Sequence, residues 1–364
     1  MATLTSINGG KRGEQVAVLL NANAKSVNEK LRAEIARFVP ERDVYYSRSL
    51  DDARQIVSTV IDRGYDTLLT GGGDGTFVGY VNEVMTQLDA RGENRPMSRG
   101  GAVLKLQPQV GRLPKFGILR LGTGNALAGL VGASRRPVGV VEDILRARSG
   151  DVARTRSIHL VDAYGKLAPF AGLGLDAQVL NDYVGLKGLF EGTPLQTLGT
   201  GGLGYFMSIS AKSVPALALQ KTVNVVVYNE GGPARQIAPD GRHTGKAIAP
   251  GEVIYQGPVR FAAAGTVPYY GYNFTIFPHA LRSPGQMHLR LTALSVPQVL
   301  SHLPEIWKGR TPAGMLDFHA DRVRMVFERP MPFQVGGDAE GYRSEVTLGV
   351  GPRPVELLDF TARS

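Results

Sequence analysis

The sequence contains no cysteine. Disulfides, thiolate metal sites and a cysteine nucleophile are thereby excluded, and a reducing compartment fits. Long apolar runs are missing too, so no transmembrane helix is expected. The opening, Met1 to Gly13, is polar and Gly-rich and lacks the apolar centre of a signal peptide. The expectation is a cytoplasmic protein, with the inner face of the membrane as a candidate peripheral station. Histidines are few and scattered: His159, His243, His279, His288, His302 and His319. None stands in an HExxH pattern, so a histidine-based zinc site is not expected. No Walker A sequence, GxSxG elbow or protein-kinase motif set occurs. Gly199, Gly201 and Gly204 spell GxGxxG, but no strand leads into them, which argues against a dinucleotide turn there.

What the chain does have is size, glycine and positive charge. Its 364 residues, 43% apolar and 20% charged, suffice for roughly two domains of about 150 residues each. The 46 glycines imply many tight turns or close backbone approaches. A net charge of +9 suits an anionic partner such as phosphate or an acidic membrane surface. Six basic residues and one acidic residue fall between Arg91 and Lys115. Aromatics are almost absent there, so nucleic-acid binding by base stacking is not expected. That segment reads either as a contact for anionic membranes or as a solvated basic loop.

The first part alternates strand and helix patterns. Val16 to Leu20, Val44 to Tyr46, Thr67 to Leu69 and Phe116 to Leu119 have strand length. Helical spacing is predicted over 26–38, 50–61 and 77–88, and a further helix starts after Asn125. This rhythm implies an α/β domain with a mostly parallel sheet, where ligands bind past the carboxyl ends of the strands. From about Thr155 strand patterns dominate: Ile158 to Tyr164, Val223 to Tyr228, Val259 to Ala264, Tyr272 to Phe277, Met287 to Leu291, Val323 to Phe327 and Val346 to Val350. A helix is predicted over 204–214. The expected organisation is an α/β domain over 14–154, rejoined by 351–364, and a β-rich domain over 155–350.

Three stretches carry chemistry. Gly71-Gly72-Gly73-Asp74-Gly75-Thr76 follows a strand and opens a helix, so its backbone N–H groups make an anion site. Asp74 either holds Mg²⁺ or orients the reacting groups, or merely caps a turn. Gly122-Thr123-Gly124-Asn125 is a second such turn at the same sheet edge. Gly336-Gly337-Asp338-Ala339-Glu340-Gly341 puts two carboxylates on a turn, where one can serve as general base on a substrate hydroxyl and the other can orient it or bind metal. The plain alternative for the last is an acidic hairpin in solvent.

These motifs, in this order, resemble the diacylglycerol kinase catalytic family, which includes bacterial lipid kinases, sphingosine kinases and ceramide kinases. The resemblance runs from about Gln15 to Phe360. The family's opening Asn-Pro-x-x-Gly is matched by Asn21 to Lys25, and a Thr after the second strand by Ser47. GGDGT is matched by Gly72 to Thr76, and P-L-G-T-G-N-D by Arg120 to Ala126. G-x-G-x-D-A is matched by Gly172 to Ala177, Pro-x-Ala by Pro278-His279-Ala280, and Asp-Gly-Glu by Asp338-Ala339-Glu340. GGDGT is shared with NAD kinases and phosphofructokinases; the ordered set is more specific.

The resemblance implies a two-domain fold like that of lipid kinases and NAD kinases, with ATP and Mg²⁺ as cofactors and a lipid at the membrane surface as substrate. Asn21, Ser47, Gly72, Gly73, Asp74, Gly75, Thr76, Thr123, Gly124 and Asn125 would meet the nucleotide. Asp338, Glu340 and Asp74 would be catalytic, and Asp176 would meet the lipid head group. The departures are Ala22 and Lys25 in the first motif, Val78-Gly79 for Asn-Glu, Ala126 for Asp, Ala339 for Gly, and Ser283-Pro284 for an acidic pair that supplies a structural metal ligand in some bacterial members. They leave two alternatives: a kinase of a soluble substrate, as in NAD kinases, and a diverged non-catalytic lipid- or nucleotide-binding protein.

Overall fold

Short apolar strands and capped helices alternate through the first half of the chain and assemble as a parallel sheet. The computed structural model describes residues 15–24, 26–92, 113–122, 125–152, 154–174, 221–270 and 274–361. Strands β1 (Val16–Asn21), β2 (Val44–Ser47), β3 (Thr67–Gly72) and β4 (Lys115–Arg120) pair in parallel in the order β2-β1-β3-β4. Buried on both faces, β1 reads as a continuous apolar run rather than an alternating one, and β3 is buried along its whole length.

The helices start where the sequence supplies a cap. Asn28 accepts from the Leu31 N–H at the head of α1 (Glu29–Ala36), and Ser49 accepts from Asp52 N–H at the head of α2 (Leu50–Asp62). Helix α3 (Asp74–Ala90) springs directly from the glycine turn without a side-chain cap. Its buried residues wrap much of its circumference, because it covers the sheet and also faces the second domain. Phe77 of α3 meets Phe116 of β4 edge to face at 5.8 Å, which adds about 1 kcal/mol beyond area burial. A short α4 (Ala126–Leu130) and α5 (Pro137–Ser149) follow; α5 has Pro in its first turn and stops at Gly150, φ 78°.

Two late strands complete this sheet. β5 (Thr155–Ile158) lies at its edge, and β18 (Val355–Leu358) lies between β4 and β5. The chain therefore leaves the first sheet after Ile158, not at Thr155, and returns to it near Val355. Ile158 to Tyr164, expected as one strand, is broken where the chain crosses: β5 ends in the first sheet and β6 (Val161–Ala163) begins in the second.

The second domain is an antiparallel sheet in which twelve strands are described. They are β6, β7 (Lys166–Ala168), β8 (Phe170–Gly174), β9 (Val223–Asn229), β10 (Ala234–Ile237), β11 (His243–Ile248), β12 (Val253–Val259), β13 (Phe261–Gly265), β14 (Met287–Thr292), β15 (Met315–Ala320), β16 (Arg322–Val335) and β17 (Asp338–Val350). The long β16 pairs with β9 through one half and with β8 through the other. Residues 274–277 form no strand, against expectation. Phe277 instead buries its ring and donates its N–H to Pro268 O, so burial rather than pairing explains the apolar pattern. Helix α6 (Val296–Trp307) was not expected; its Pro297 sits in the first turn, where no N–H is needed, and Ser295 and Gln298 form a capping box. The predicted helix over 204–214 lies outside the described residues.

Candidate active site at the strand ends

The candidate nucleotide residues collect at one edge because the parallel strands all end there. Asn21 is in register with Ser47, Leu20 with Gly71, and Gly72 with Arg120. Successive strands leave β1 in opposite directions, to β2 and to β3, so the crevice above these ends is a topological switch point. Asn21 donates from Nδ2 to Thr76 Oγ1 at 3.1 Å, tying β1 to the first turn of α3. Ser47 is buried and accepts from the Tyr80 hydroxyl at 3.1 Å, so its hydroxyl braces β2 against α3. Helix starts leave first-turn N–H groups for an anion; in α3 the Thr76 N–H already donates to Gly73 O at 3.0 Å, which leaves those of Asp74 and Gly75 for that role.

The two glycine turns are packed backbone against backbone. A Cβ on Gly122 would stand 2.1 Å from Gly73 Cα, and one on Gly72 would meet the Thr76 side chain at 2.4 Å. Asp74 locks them together: Oδ2 accepts from Ala126 N–H at 2.9 Å and Oδ1 from Leu127 N–H at 3.1 Å. Burial pushes the Asp74 carboxyl up, while these two amide bonds favour its charged form. In this arrangement Asp74 caps the neighbouring turn. Asn125 closes that turn from within. Its backbone is left-handed, φ 50°, and its side-chain amide both accepts from Gly122 N–H and donates to Gly122 O.

The carboxylates sit in the other domain on a tight hairpin. Gly336 and Gly337, at φ 63° and 93°, are the two residues between paired Val335 and Asp338, which is the left-handed turn only glycine enters freely. Gly341, φ 77°, stands in a register irregularity of β17 just past Glu340. Both carboxylates converge on one cation: Lys166 Nζ donates to Asp338 Oδ2 at 3.1 Å and to Glu340 Oε1 at 2.6 Å. Burial opposes the charge on Lys166, yet these hydrogen bonds prevail and raise its pKa. The acidic turn is thus paired with Lys166 while staying in solvent, the Asp338 side chain being 75% exposed.

One side chain couples the two halves. Asn82, on α3, donates Nδ2 to Leu167 O at 2.8 Å and accepts Leu167 N–H at 2.8 Å. Leu167 follows Lys166 on β7, so the helix that begins at the glycine turn also carries the strand that holds the carboxylate pair. Sequence reading missed Lys166 and Asn82. A lone Lys beside a Tyr-Gly turn has no signature, and only strand register brings it to residues more than 170 positions away.

Residues 15–156 match the family model of the diacylglycerol kinase catalytic domain. That span covers β1 to β4, both glycine turns and the helices between them. The first domain is thus similar to diacylglycerol kinase catalytic domains. Solved structures of a Bacillus anthracis str. Sterne protein, described as a diacylglycerol kinase, share the fold over both domains. One aligns with TM-score 0.60 at 13% identity, covering 97% of this chain and 100% of that one. Another aligns at 0.59 and 13%, covering 96% and 98%. A third aligns at 0.57 and 12%, covering 97% and 99%. No curated protein matches the chain by sequence. The N-terminal α/β domain with its mostly parallel sheet and the β-rich second domain together therefore make a known fold.

Several expected site residues lie outside the described residues: Thr123, Gly124 and Asp176, with Lys25 and 93–112 of the basic stretch. Among the described residues no group of three His, Asp or Glu side chains is placed to hold a metal. The histidines, scattered in sequence, converge in the second domain instead. His243 Nε2 is 2.8 Å from His319 Nδ1, and His319 Nε2 is 2.9 Å from the His279 carbonyl. The His279 N–H donates to His288 Nδ1 at 3.3 Å, and His288 Nε2 lies 3.0 Å from Asp317. Since a carbonyl only accepts, His319 carries its proton on Nε2, and the chain of contacts suits neutral rings. Burial, then the neighbouring His288, brings His279 down to about 4; burial does the same for His319. Asp317 resists burial through the Arg290 guanidinium at 2.7 Å and stays well below the usual carboxylate range.

Proposed function

We propose that the protein is an ATP-dependent lipid kinase that moves the γ-phosphate to a lipid hydroxyl. The observation that carries this reading is the single helix α3. Its N-terminus opens from interlocked glycine turns suited to phosphates, and its flank holds the strand whose lysine gathers Asp338 and Glu340. The phosphates would lie along Gly72 to Thr76, on first-turn N–H groups, with Asn125 and Asp74 keeping the turns in place. Lys166 holds the carboxylate pair converged, so that either Asp338 or Glu340 can accept the proton of an incoming hydroxyl. Such proton removal supplies about 10²–10⁴ in rate. Mg²⁺, which neutralises charge on a transferring phosphoryl group, is held mainly by nucleotide oxygens and water in sites of this kind. The donor set here fits that mode, since both oxygens of Asp74 already accept amide bonds.

The lipid tails would enter from the β-rich domain, and the head group would reach the hairpin carrying Asp338. No helix among the described residues is long and apolar enough to cross a membrane, so the lipid would be met at a surface. The basic stretch 91–115 is the candidate contact with anionic lipid. Radiolabelled ATP offered with a panel of diacylglycerol, sphingoid base, ceramide and NAD tests the reading. Label in a lipid, lost in both Asp338→Asn and Glu340→Gln, is the expected result. Label in NAD and in no lipid would establish the soluble-substrate alternative. ATP binding with no transfer to any acceptor would leave a non-catalytic binder.

A further inference from the structure

One cation at the strand-end edge is not used by any interaction described so far. Arg120 is the last residue of β4, in register with Gly72 and two residues before the close contact of Gly122 with Gly73. It is half-buried, and among the described residues its guanidinium makes no hydrogen bond and no ion pair. Asp74 bears on it electrostatically, but both Asp74 oxygens are held by the amides of Ala126 and Leu127. The exposed Arg135 bears on it too, with like charge. The like charge of Arg135 thus bears on Arg120 while the Asp74 carboxylate is already hydrogen-bonded. Burial and the repulsion of Arg135 both work against the charge on Arg120, and Asp74 offsets them only in part. An arrangement that raises its own electrostatic energy is relieved by an anion carrying more than one charge. The sequence leans the same way: where the resembled motif has Pro and Asp, this chain has Arg120 and Ala126, a gain of one positive charge and a loss of one negative.

We propose that Arg120, seconded by Arg135, binds the polyphosphate of the nucleotide and is the main side-chain cation for it at this edge. The assignment deepens the kinase reading and rests on it for the identity of the ligand, though not for the ligand's chemistry. A forked guanidinium takes two phosphate oxygens at once, which the glycine N–H groups alone cannot do from one side. The preference is then for triphosphate over monophosphate, because the longer chain offers more charge and more oxygens to the guanidinium groups.

The test is calorimetric titration of the full chain with ATP, AMP and inorganic tripolyphosphate, comparing wild type, Arg120→Gln, Arg120→Lys, Arg135→Gln and the distant surface control Arg37→Gln. Arg120→Gln is expected to weaken ATP and tripolyphosphate by about tenfold to a hundredfold while leaving AMP nearly unchanged. Arg120→Lys should recover part of that loss. Arg135→Gln, at an exposed position where folding is not at stake, should weaken both by about twofold to fivefold. Equal ATP affinity in wild type and Arg120→Gln overturns the proposal, as does an equal loss for AMP. If wild type binds tripolyphosphate but not ATP, and Arg120→Gln loses it, the polyphosphate site stands and the ATP reading fails. If wild type binds neither, both fail.

Discussion

Replacing Gly122 with alanine tests whether the two glycine turns work as one cradle. The new Cβ would lie 2.1 Å from Gly73 Cα, 2.5 Å from Gly73 N and 2.9 Å from Gly72 C, whereas ordinary contact starts at 3.4 Å. All three neighbours are backbone, so no side chain can rotate away. The turns must separate by about 1 Å, an overpacking that costs about 1–3 kcal/mol. Separation on that scale also stretches the bonds from Ala126 and Leu127 to Asp74, now 2.9 and 3.1 Å, past useful length. A misplacement of about 1 Å at reacting groups can cost about a hundredfold in rate. We therefore expect Gly122→Ala to lower the melting temperature and reduce phosphoryl transfer about a hundredfold in protein that remains folded. Gly79→Ala is the matched control. Gly79 is exposed on α3, and a Cβ there would meet nothing within 4 Å, so the change should stabilise the helix by about 1 kcal/mol and leave transfer unchanged. Differential scanning calorimetry and the radiolabel assay read the two outcomes separately. Wild-type stability and turnover in Gly122→Ala would refute the close packing; lowered stability with full turnover would make the contact structural only.

Three further expectations follow from named contacts. Lys166→Gln should lower transfer about tenfold without changing the dissociation constant for ATP, because the lysine touches the carboxylate pair and not the phosphate turns; a matching loss of ATP binding would contradict that separation. Asn82→Ala removes both bonds between α3 and Leu167 and leaves a backbone N–H and C=O without these partners, so chemical denaturation should show a loss of about 1–3 kcal/mol, and unchanged stability would mean the domains dock without it. His279 and His319 have folded-state values of about 4, below the ordinary 6.5, so the unfolded chain binds protons first as pH falls. Their contribution is complete above about pH 6.5 and is lost towards pH 4. The urea midpoint should fall across that window, and the fall should be shallower in His279→Gln; identical slopes would exclude this histidine.

The parts of the fold that could be read directly were those governed by local chemistry. Glycines after an apolar strand, Ser49 before Asp51-Asp52 and the run Val16 to Leu20 each obey rules that need no distant partner. Gly336-Gly337 belongs with them, since a two-residue hairpin demands left-handed backbone. What could not be read depends on register or on crossing between sheets. Ile158 to Tyr164 looks continuous because both sheets bury it, and no residue marks the change of sheet. Helix α6 was hidden by Pro297 and Pro304, which interrupt the helical pattern although the first needs no N–H. Arg120, Lys166 and Asn82 have ordinary neighbours in sequence; their significance comes from Gly72, Glu340 and Leu167, brought to them by the tertiary fold.

The departures at Val78 and Gly79 take on a different weight once α3 is seen as the element common to both half-sites. An Asn-Glu pair is missing at 78–79, yet Asn82-Glu83 stands four residues on, one turn along the same helix face. There Asn82 spans to β7, and Glu83 accepts from Gln87 Nε2 at 2.8 Å. From Asp74 to Asn82 the helix advances about 12 Å at 1.5 Å per residue. That rise fixes how far the strand carrying Lys166 sits from the phosphate turn, and a helix holds such a spacing better than a loop would. Val78 is buried between these two points and Gly79 is exposed, so neither interrupts the link. The altered residues therefore fall on the rod between the half-sites, while the groups at its two ends, Asp74 with its amides and Asn82 with Leu167, keep their hydrogen bonds.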